Sequence, residues 1–302
     1  LKMPEHIRQE PKVLVSTENL TEQEWLAYRR RGIGGSDVAA ILGISPFRTA
    51  RDLYDDKLNI ASAVDDTGNW VALEMGHLLE PLVAQIFAKK TGLEVFQIKK
   101  MFQHPQHPFM LADVDYFVRL PSGKIALLEI KTTNYNAKDH WWKDGEECVP
   151  VYYETQGRHY MAVMDIDEIF YCCLYGNNED EVIIRHLYRD REYEQEMIYL
   201  EREFWHDHIL TRIPPPYTED GSLILESLRR RLGGADKTIP AIQLDSDLSA
   251  TMLRYLSLQE QRQQVEMQVK TLDTEMQRMK GQMVAKLNGS CMAMGEYGGT
   301  QY

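Results

Sequence analysis

The sequence predicts an α/β protein of the mixed α+β kind: a central sheet layered with helices, followed by a helical arm. Three observations predict it. Stretches with helical spacing of apolar residues alternate with stretches of strand-like texture, in the order helix, three strands, helix, two strands, helix. Near the C-terminal end, Leu258, Val265, Leu272 and Met279 recur every seven residues, and Val269, Met276 and Met283 fill the second apolar position. Between these regions, residues 211–245 are rich in Pro, Gly and charge, as a linker is. The expected organisation is a main domain over 1–212, a linker over 213–245 and a helical, coiled-coil arm over 246–302.

Residues 22–31 predict a short helix ending in Arg29, Arg30 and Arg31, broken by Gly32, Gly34 and Gly35. Ser36 and Asp37 are N-cap residue types for the next helix, which carries Val38, Ala39, Ile41 and Leu42 and stops at Gly43. Ser45-Pro46 has the N-cap and first-turn proline of a further helix reaching about Leu58. Residues 72–90 predict an amphipathic helix with Leu78, Leu79, Leu82, Val83, Ile86 and Phe87 on its apolar side. Strands are expected at 93–103, 110–119, 125–133, 168–175 and 181–188, and helices at 151–164 and 190–209. The heptad stripe, interrupted by Arg262, fits a helical hairpin or a coiled-coil arm.

The chain has 302 residues, 43% hydrophobic and 26% charged, enough for one core plus an appendage. No apolar run approaches the ~20 residues of a membrane span, and the start lacks a signal-peptide pattern, so the expectation is a cytoplasmic protein without membrane contact. Cys148, Cys172, Cys173 and Cys291 form no C-x-x-C pair, which speaks against a zinc ribbon, an iron–sulfur cluster or a disulfide framework. His104 and His107, set between prolines with no nearby cysteine, read as a polar loop rather than a zinc site. A net charge of −12 excludes a general nucleic-acid-coating protein, because such binding releases counterions to Lys and Arg. DNA contact must then be local. Arg29–Arg31, Arg229–Arg231, Lys89–Lys90 and Lys99–Lys100 can supply it, although each also reads as solvated surface.

The chemistry concentrates in residues 111–131. Two strand-like runs flank Pro121-Ser122-Gly123, and alternation puts Glu129 and Lys131 on one face of the second run, with Leu128 and Ile130 on the other. If the turn is a three-residue loop with Gly123 left-handed, each pair of facing residues sums to 244. Asp115 then faces Glu129 and Asp113 faces Lys131; a two-residue loop changes the pairing. Facing carboxylates repel, and a bound Mg²⁺ or Mn²⁺ removes the repulsion because hard divalent ions take carboxylate oxygens. Lys131 beside such an ion can orient or deprotonate water and offset charge on a phosphate. The bland alternative is a surface hairpin with an ordinary Asp–Lys pair. Trp141, Trp142, Tyr135 and His140 could stack on unpaired bases or belong to the core.

Asp115 followed by Glu129-Ile130-Lys131 resembles the D…(E)xK signature of the restriction-enzyme-like nucleases. Upstream Met75-Gly76-His77-Leu78-Leu79-Glu80-Pro81 and downstream Tyr153-Glu154-Thr155-Gln156-Gly157-Arg158-His159-Tyr160-Met161 are similar to motifs of the YqaJ viral recombinase family, relatives of phage lambda exonuclease. The opening run from Trp25 to Asp37 resembles that family's first motif, and the match spans roughly residues 22–210. The resemblance implies a restriction-endonuclease-like sheet flanked by helices. It implies catalytic roles for Asp115, Glu129, Lys131, Glu80 and Gln156, with Asp115, Glu129, Glu80 and the Ile130 carbonyl around Mg²⁺. It also implies that Arg29 and Ser36 hold a terminal 5′-phosphate, a role suited to a bidentate guanidinium and a helix N-terminus. Which of the three arginines does so stays open at this level.

The function implied is a Mg²⁺-dependent double-strand DNA exonuclease that digests 5′ to 3′ and leaves 3′ overhangs for a single-strand annealing protein. Relatives of this kind imply a homo-oligomer, with a ring trimer as one form. Two other functions compete: an endonuclease using the same acidic cluster, and a non-catalytic DNA-binding assembly protein built on a nuclease fold.

Overall fold

The computed structural model describes residues 9–63, 70–233, 237–290, 294–297 and 300–301. Two compact units divide the chain, Leu1–Gly234 and Ala235–Tyr302.

Capping side chains fix where the first helices begin. After β1 (Lys12–Ser16), a strand with no clear sequence signal, Thr21 and Glu24 form a capping box at the start of α1 (Glu22–Arg29). The next helix, α2 (Gly35–Ile41), is capped by Gly34, whose amide donates to Asp37 at 2.8 Å. Ser36 therefore lies inside the first turn instead of capping it, because its hydroxyl accepts from Arg29. Ser45-Pro46 opens no helix either. The Ser45 hydroxyl accepts from the amides of Phe47 and Arg48 to close a turn, and α3 (Ala50–Lys57) starts at Thr49, boxed with Asp52. Then comes α4 (Trp70–Thr91), 22 residues with Pro81 inside.

The strands form two sheets where the sequence suggested one. β2 (Glu94–Phe96) and β3 (Lys100–Gln103) divide the stretch expected as a single strand. β4 (Leu111–Asp113) and β5 (Tyr116–Arg119) divide the next one at Val114 and Asp115. β1, β3 and β4 make a three-stranded sheet. The larger sheet has the order β10-β9-β6-β5-β2, with β6 (Ile125–Thr132), β9 (Glu168–Leu174) and β10 (Val182–Tyr188). Its β6–β9 pair is parallel and its other pairs antiparallel.

Gly123, at φ +80°, closes the β5–β6 loop in the left-handed region, and Leu120 and Lys124 bond across it at 2.9 Å. The resulting pairs, from Tyr116 with Leu128 to Arg119 with Ile125, have the register expected for a three-residue loop. The ladder ends one residue short of Asp115. Asp113 faces Met101 on β3 instead of Lys131, because the chain has already crossed into the other sheet.

A small hairpin of β7 (Trp142–Lys143) and β8 (Glu146–Glu147) precedes α5 (Val151–Met164). α6 (Arg191–Phe204) runs on into a π-helical turn at Trp205–Leu210. One face of the larger sheet, with Phe117, Leu127, Ile169, Tyr171 and Cys173, shares a core with Val38 of α2, Met161 of α5 and Met197 of α6. The other, with Val118, Ala126, Leu128, Ile130 and Cys172, packs on Val83, Ala84 and Phe87 of α4. Cys172 and Cys173 are buried free thiols on opposite faces, as expected of neighbours in a strand; Cys291 lies outside the described residues.

Two expectations change here. The stretch read as a linker contains α7 (Gly221–Leu232), whose Ser227 hydroxyl bonds Asp52 at 2.8 Å and whose Leu223 is buried. Ser227 and Arg230, which both bond Asp52, dock it on α3. α4 is also long and apolar enough, by length and composition alone, to cross a membrane. Val83, Ala84 and Phe87 pack it on the sheet, and Glu74 and Glu80 fall within it.

In the second unit, α8 (Ser246–Leu287) is one unbroken helix of 42 residues capped by Asp245, so no helical hairpin forms in this stretch. Leu258, Val265, Leu272 and Met279 are all exposed along it. β11 (Glu296–Tyr297) and β12 (Thr300–Gln301) pair beyond it.

Helix α5 lies so close to β9 that a Cβ at Gly157 would stand 1.9 Å from the Tyr171 hydroxyl and 2.7 Å from Ile169 Cδ1. Gly157→Ala should raise helix propensity by about 1 kcal/mol yet lower net stability by roughly 1–3 kcal/mol through overpacking. Urea denaturation of both proteins measures the difference; a more stable variant would contradict this packing.

Candidate active site

Strand alternation delivers Glu129 and Lys131 to the face of β6 that meets α5, and α5 supplies Gln156 opposite them. Lys131 Nζ donates to Glu129 Oε1 at 2.7 Å and to Gln156 Oε1 at 3.0 Å. The Gln156 amide nitrogen donates to the same Glu129 oxygen and reaches the Tyr160 hydroxyl at 3.5 Å. Lys131 Nζ also lies 4.7 Å from the centre of the Tyr153 ring. Every polar atom of this cluster is engaged except one. Glu129 Oε2 is buried with no hydrogen-bond partner among the described residues, a costly state for a carboxylate oxygen unless something else meets it.

Asp115 sits at the crossing between the two sheets, where the Ile130 amide donates to its Oδ2 at 2.9 Å. Burial pushes its pKa well above the ordinary carboxylate value, and the charges of Glu129 and Glu80 push the same way against Lys131. Burial also raises Glu80, with Glu129 adding to it. At Glu129, burial with the charge of Asp113 raises the pKa against Lys131 and Gln156, which lower it. Lys131 is the reverse case: burial opposes its charge, but Glu129 and Asp115 outweigh burial and hold the ammonium above its ordinary value.

The donor set suits a hard divalent cation: three carboxylates on separate elements, each made reluctant to ionise alone, and one orphaned buried oxygen. Among the described residues, no three His, Cys, Asp or Glu side chains are drawn close enough to enclose an ion. The fit therefore rests on donor chemistry and the orphaned oxygen.

Arg29 and Ser36, eight and one residues before Asp37, meet in one cleft with Glu80 and Asp115; Glu129 is not among its lining residues. The cleft, of about 300 Å³, is lined by Arg29, Ser36, Glu80, Asp113, Asp115 and Tyr160, among others. Arg29 donates to Ser36 at 2.8 Å and lies 4.9 Å from the Trp25 ring centre. Arg30 turns to Asp56 and Arg31 to the Tyr28 ring, so of the three consecutive arginines Arg29 is the one that lines the cleft.

Sequence reasoning missed what holds it there. Asp37 is fully buried and pairs with Lys57 at 2.6 Å, with Arg29 at 3.2 Å and with Arg48. Burial raises the Asp37 pKa, but these three cations outweigh it and leave the group far below the ordinary value. Lys57 and Arg48 lie 20 and 11 residues along the chain, and no local pattern links them to an aspartate read as a helix cap.

Asp113 was likewise placed elsewhere; it lines the cleft and accepts from Trp25 Nε1 at 2.7 Å. His159 escaped notice too. Its Nε2 lies 2.9 Å from the Leu111 carbonyl and its Nδ1 2.9 Å from Glu201, two acceptors that suit a ring carrying a proton on each nitrogen. Burial works against that charge, yet Glu201 outweighs it and the pKa is raised. His104 accepts from the amides of Gln106 and His107, as a polar turn does. Of the candidate stacking residues, Trp141 is buried in the core, packed against Tyr153 and Tyr171.

Residues 24–167 match the YqaJ-like viral recombinase domain. A Bacillus subtilis (strain 168) protein described as uncharacterized protein YqaJ is 32% identical over 266 residues, spanning 87% of this chain and 79% of that protein. The chain belongs to the YqaJ family. Two solved structures share the fold of this YqaJ-family protein. LHK-Exo in complex with dAMP superposes with a TM-score of 0.51 at 20% identity, covering 69% of this chain and 96% of the other. The alkaline exonuclease LHK-Exo from Laribacter hongkongensis gives 0.51 at 20%, covering 63% and 93%. The fold is thus restriction-endonuclease-like, as the resemblance implied.

Two outcomes follow from the electrostatics. Removing Asp37 would leave Lys57 buried without its partner, so Asp37→Ala should cost roughly 3–5 kcal/mol, measured by urea denaturation; a loss below about 1 kcal/mol would mean the cluster is solvated. Asp115 has a raised folded-state pKa, so its carboxyl favours folding at low pH and costs stability as pH climbs through that value. In chelator, Asp115→Asn should melt roughly 2–4 °C higher than the native protein at pH 8 for each kcal/mol of strain removed, with the gap closing near pH 4, as read by calorimetry.

Proposed function

We propose that this YqaJ-family protein is a Mg²⁺-dependent double-strand DNA exonuclease that digests from a 5′ end and leaves a 3′ overhang. One observation carries the reading: a single cleft holds the Arg29–Ser36 pair beside Glu80 and Asp115. A guanidinium and a hydroxyl at the start of α2 suit a terminal phosphate. The acidic group suits the ion that hydrolysis of the next phosphodiester needs. The neighbours in fold are described as exonucleases, in keeping with this assignment.

In this reading Glu80, Asp115, Glu129 and the Ile130 carbonyl hold the cation. When bound, Mg²⁺ or Mn²⁺ polarises the phosphodiester and activates water as the nucleophile. The ion pair with Glu129 keeps Lys131 an ammonium, so its role is to orient water and offset charge on the phosphate rather than to take a proton. Gln156 fixes Lys131 and Glu129 relative to each other through both ends of its amide. Asp37, through its ion pair, sets Arg29 toward the cleft.

An endonuclease would use the same acidic group but has no need of a terminal-phosphate socket, and Arg29 with Ser36 favours end dependence. A purely binding protein has no use for an ammonium locked beside buried carboxylates. The proposal extends to a cytoplasmic enzyme acting on DNA ends, assembled as a homo-oligomer and passing its overhang to an annealing protein.

Incubation with Mg²⁺ and linear duplex should release mononucleotides faster from 5′-phosphorylated ends than from 5′-hydroxyl ends. Equal loss of closed circles would overturn the exonuclease reading. Lys131→Ala should lower cleavage at least about 100-fold with DNA affinity little changed. Independently of turnover, Mg²⁺ should raise the melting temperature of the native protein and leave that of Asp115→Asn unmoved.

A further inference from the structure

A second recess of about 600 Å³ lies beyond the end of β6; four aromatic residues, Phe47, Trp141, Tyr152 and Tyr153, line it together with aliphatic side chains, and Thr132, Asn134 and His140 add polar groups. It adjoins the site just described. The Tyr153 ring that lines it is the ring under Lys131 Nζ, at 4.7 Å. Helix α4 borders both recesses, with His77 and Glu80 lining the first and Ala72, Met75 and Leu79 the second. The rings form a connected series: Tyr153 and Tyr152 are 4.6 Å apart edge to face, and Tyr152 and Phe47 5.6 Å.

Phe47 is the outermost ring and 62% exposed, yet its backbone is pinned. The Ser45 hydroxyl accepts from the Phe47 amide at 3.1 Å, and the next residue, Arg48, is tied to Asp37. An exposed aromatic ring on a fixed backbone, one residue from the ion cluster that positions Arg29, is mounted as a contact surface.

We infer that this recess is a nucleobase subsite that takes an unpaired base of the strand being cleaved, on the 3′ side of the scissile phosphate, by stacking without sequence choice. The inference rests on the nuclease reading for the path of the strand. Aromatic walls accept the face of any base, the polar groups meet the hydrogen-bonding edge, and Lys131 at the boundary meets the backbone phosphate. The aliphatic side chains alone would suit a helix, but the connected rings and the polar groups beside Lys131 suit a base, and a phosphate site would lack the rings.

The test needs no turnover. In chelator, fluorescence anisotropy measures binding of a 5′-phosphorylated single-stranded pentanucleotide and of the same strand with every base replaced by an abasic residue. The native protein should prefer the base-bearing strand about tenfold, within the range of one stacked base. Phe47→Ala should bring the two strands within about twofold while leaving abasic affinity unchanged. Tyr152→Leu, which keeps an apolar wall but removes a ring, should lose part of the preference. Equal binding of the two strands by the native protein overturns the subsite, as does full preference in Phe47→Ala. A Phe47→Ala protein altered only in oligomeric state would assign the recess to contact between copies instead. Loss of the nuclease reading would show separately, as DNA cleavage indifferent to Lys131.

Discussion

The crossing of the chain at Val114 and Asp115 governs the arrangement of the whole site. β4 and β5 are consecutive in sequence but belong to different sheets, and the residue at the crossing has no ladder partner. Asp115 supplies its own tie by accepting from the Ile130 amide. That bond holds a buried carboxylate against β6, next to Glu129, where neither would ionise readily alone. The β1-β3-β4 sheet then carries Asp113 toward Trp25 and forms one wall of the cleft. Had the hairpin stayed regular for one more pair, Asp115 would face Glu129 across the strands and the cleft would lose that wall.

Most of the β5–β6 hairpin was legible because its determinants are local. Gly123 dictates a loop type, loop type dictates register, and alternation then dictates which side chains share a face. The same local logic placed α5, so Gln156 and Tyr160 fell one turn apart on the correct helix. Reading failed where long-range pairing decides. The division of 93–103 and 110–119 between two sheets has no composition signal, since each half remains a plausible strand. Ser36 and Ser45 looked like caps, and both hydroxyls serve other partners, one an arginine and the other a turn.

Asp37 illustrates a second limit. Its partners are Arg29 of α1, Arg48 in the turn before α3 and Lys57 of α3, and no local spacing links them to it. Only the assembled fold shows that a single buried carboxylate gathers them and leaves Arg29 turned toward the cleft, while Arg30 and Arg31 find their own neighbours. Likewise, the linker-like composition around α7 hid a docking face in which Ser227 and Arg230 bond Asp52, which no average over residues reveals.

The His159 ring adds a constraint of another kind. It joins α5 to the Leu111 carbonyl of β4 on one side and to Glu201 of α6 on the other. Two acceptors in opposed directions demand a rigid planar group with a donor at each end, a requirement that neither glutamine nor lysine meets. The tie also exists only while the ring keeps its second proton. Deprotonation would set a lone pair against an acceptor within the interior, so the hydrophobic layer behind the cleft is fastened by a clasp that only the protonated ring can close.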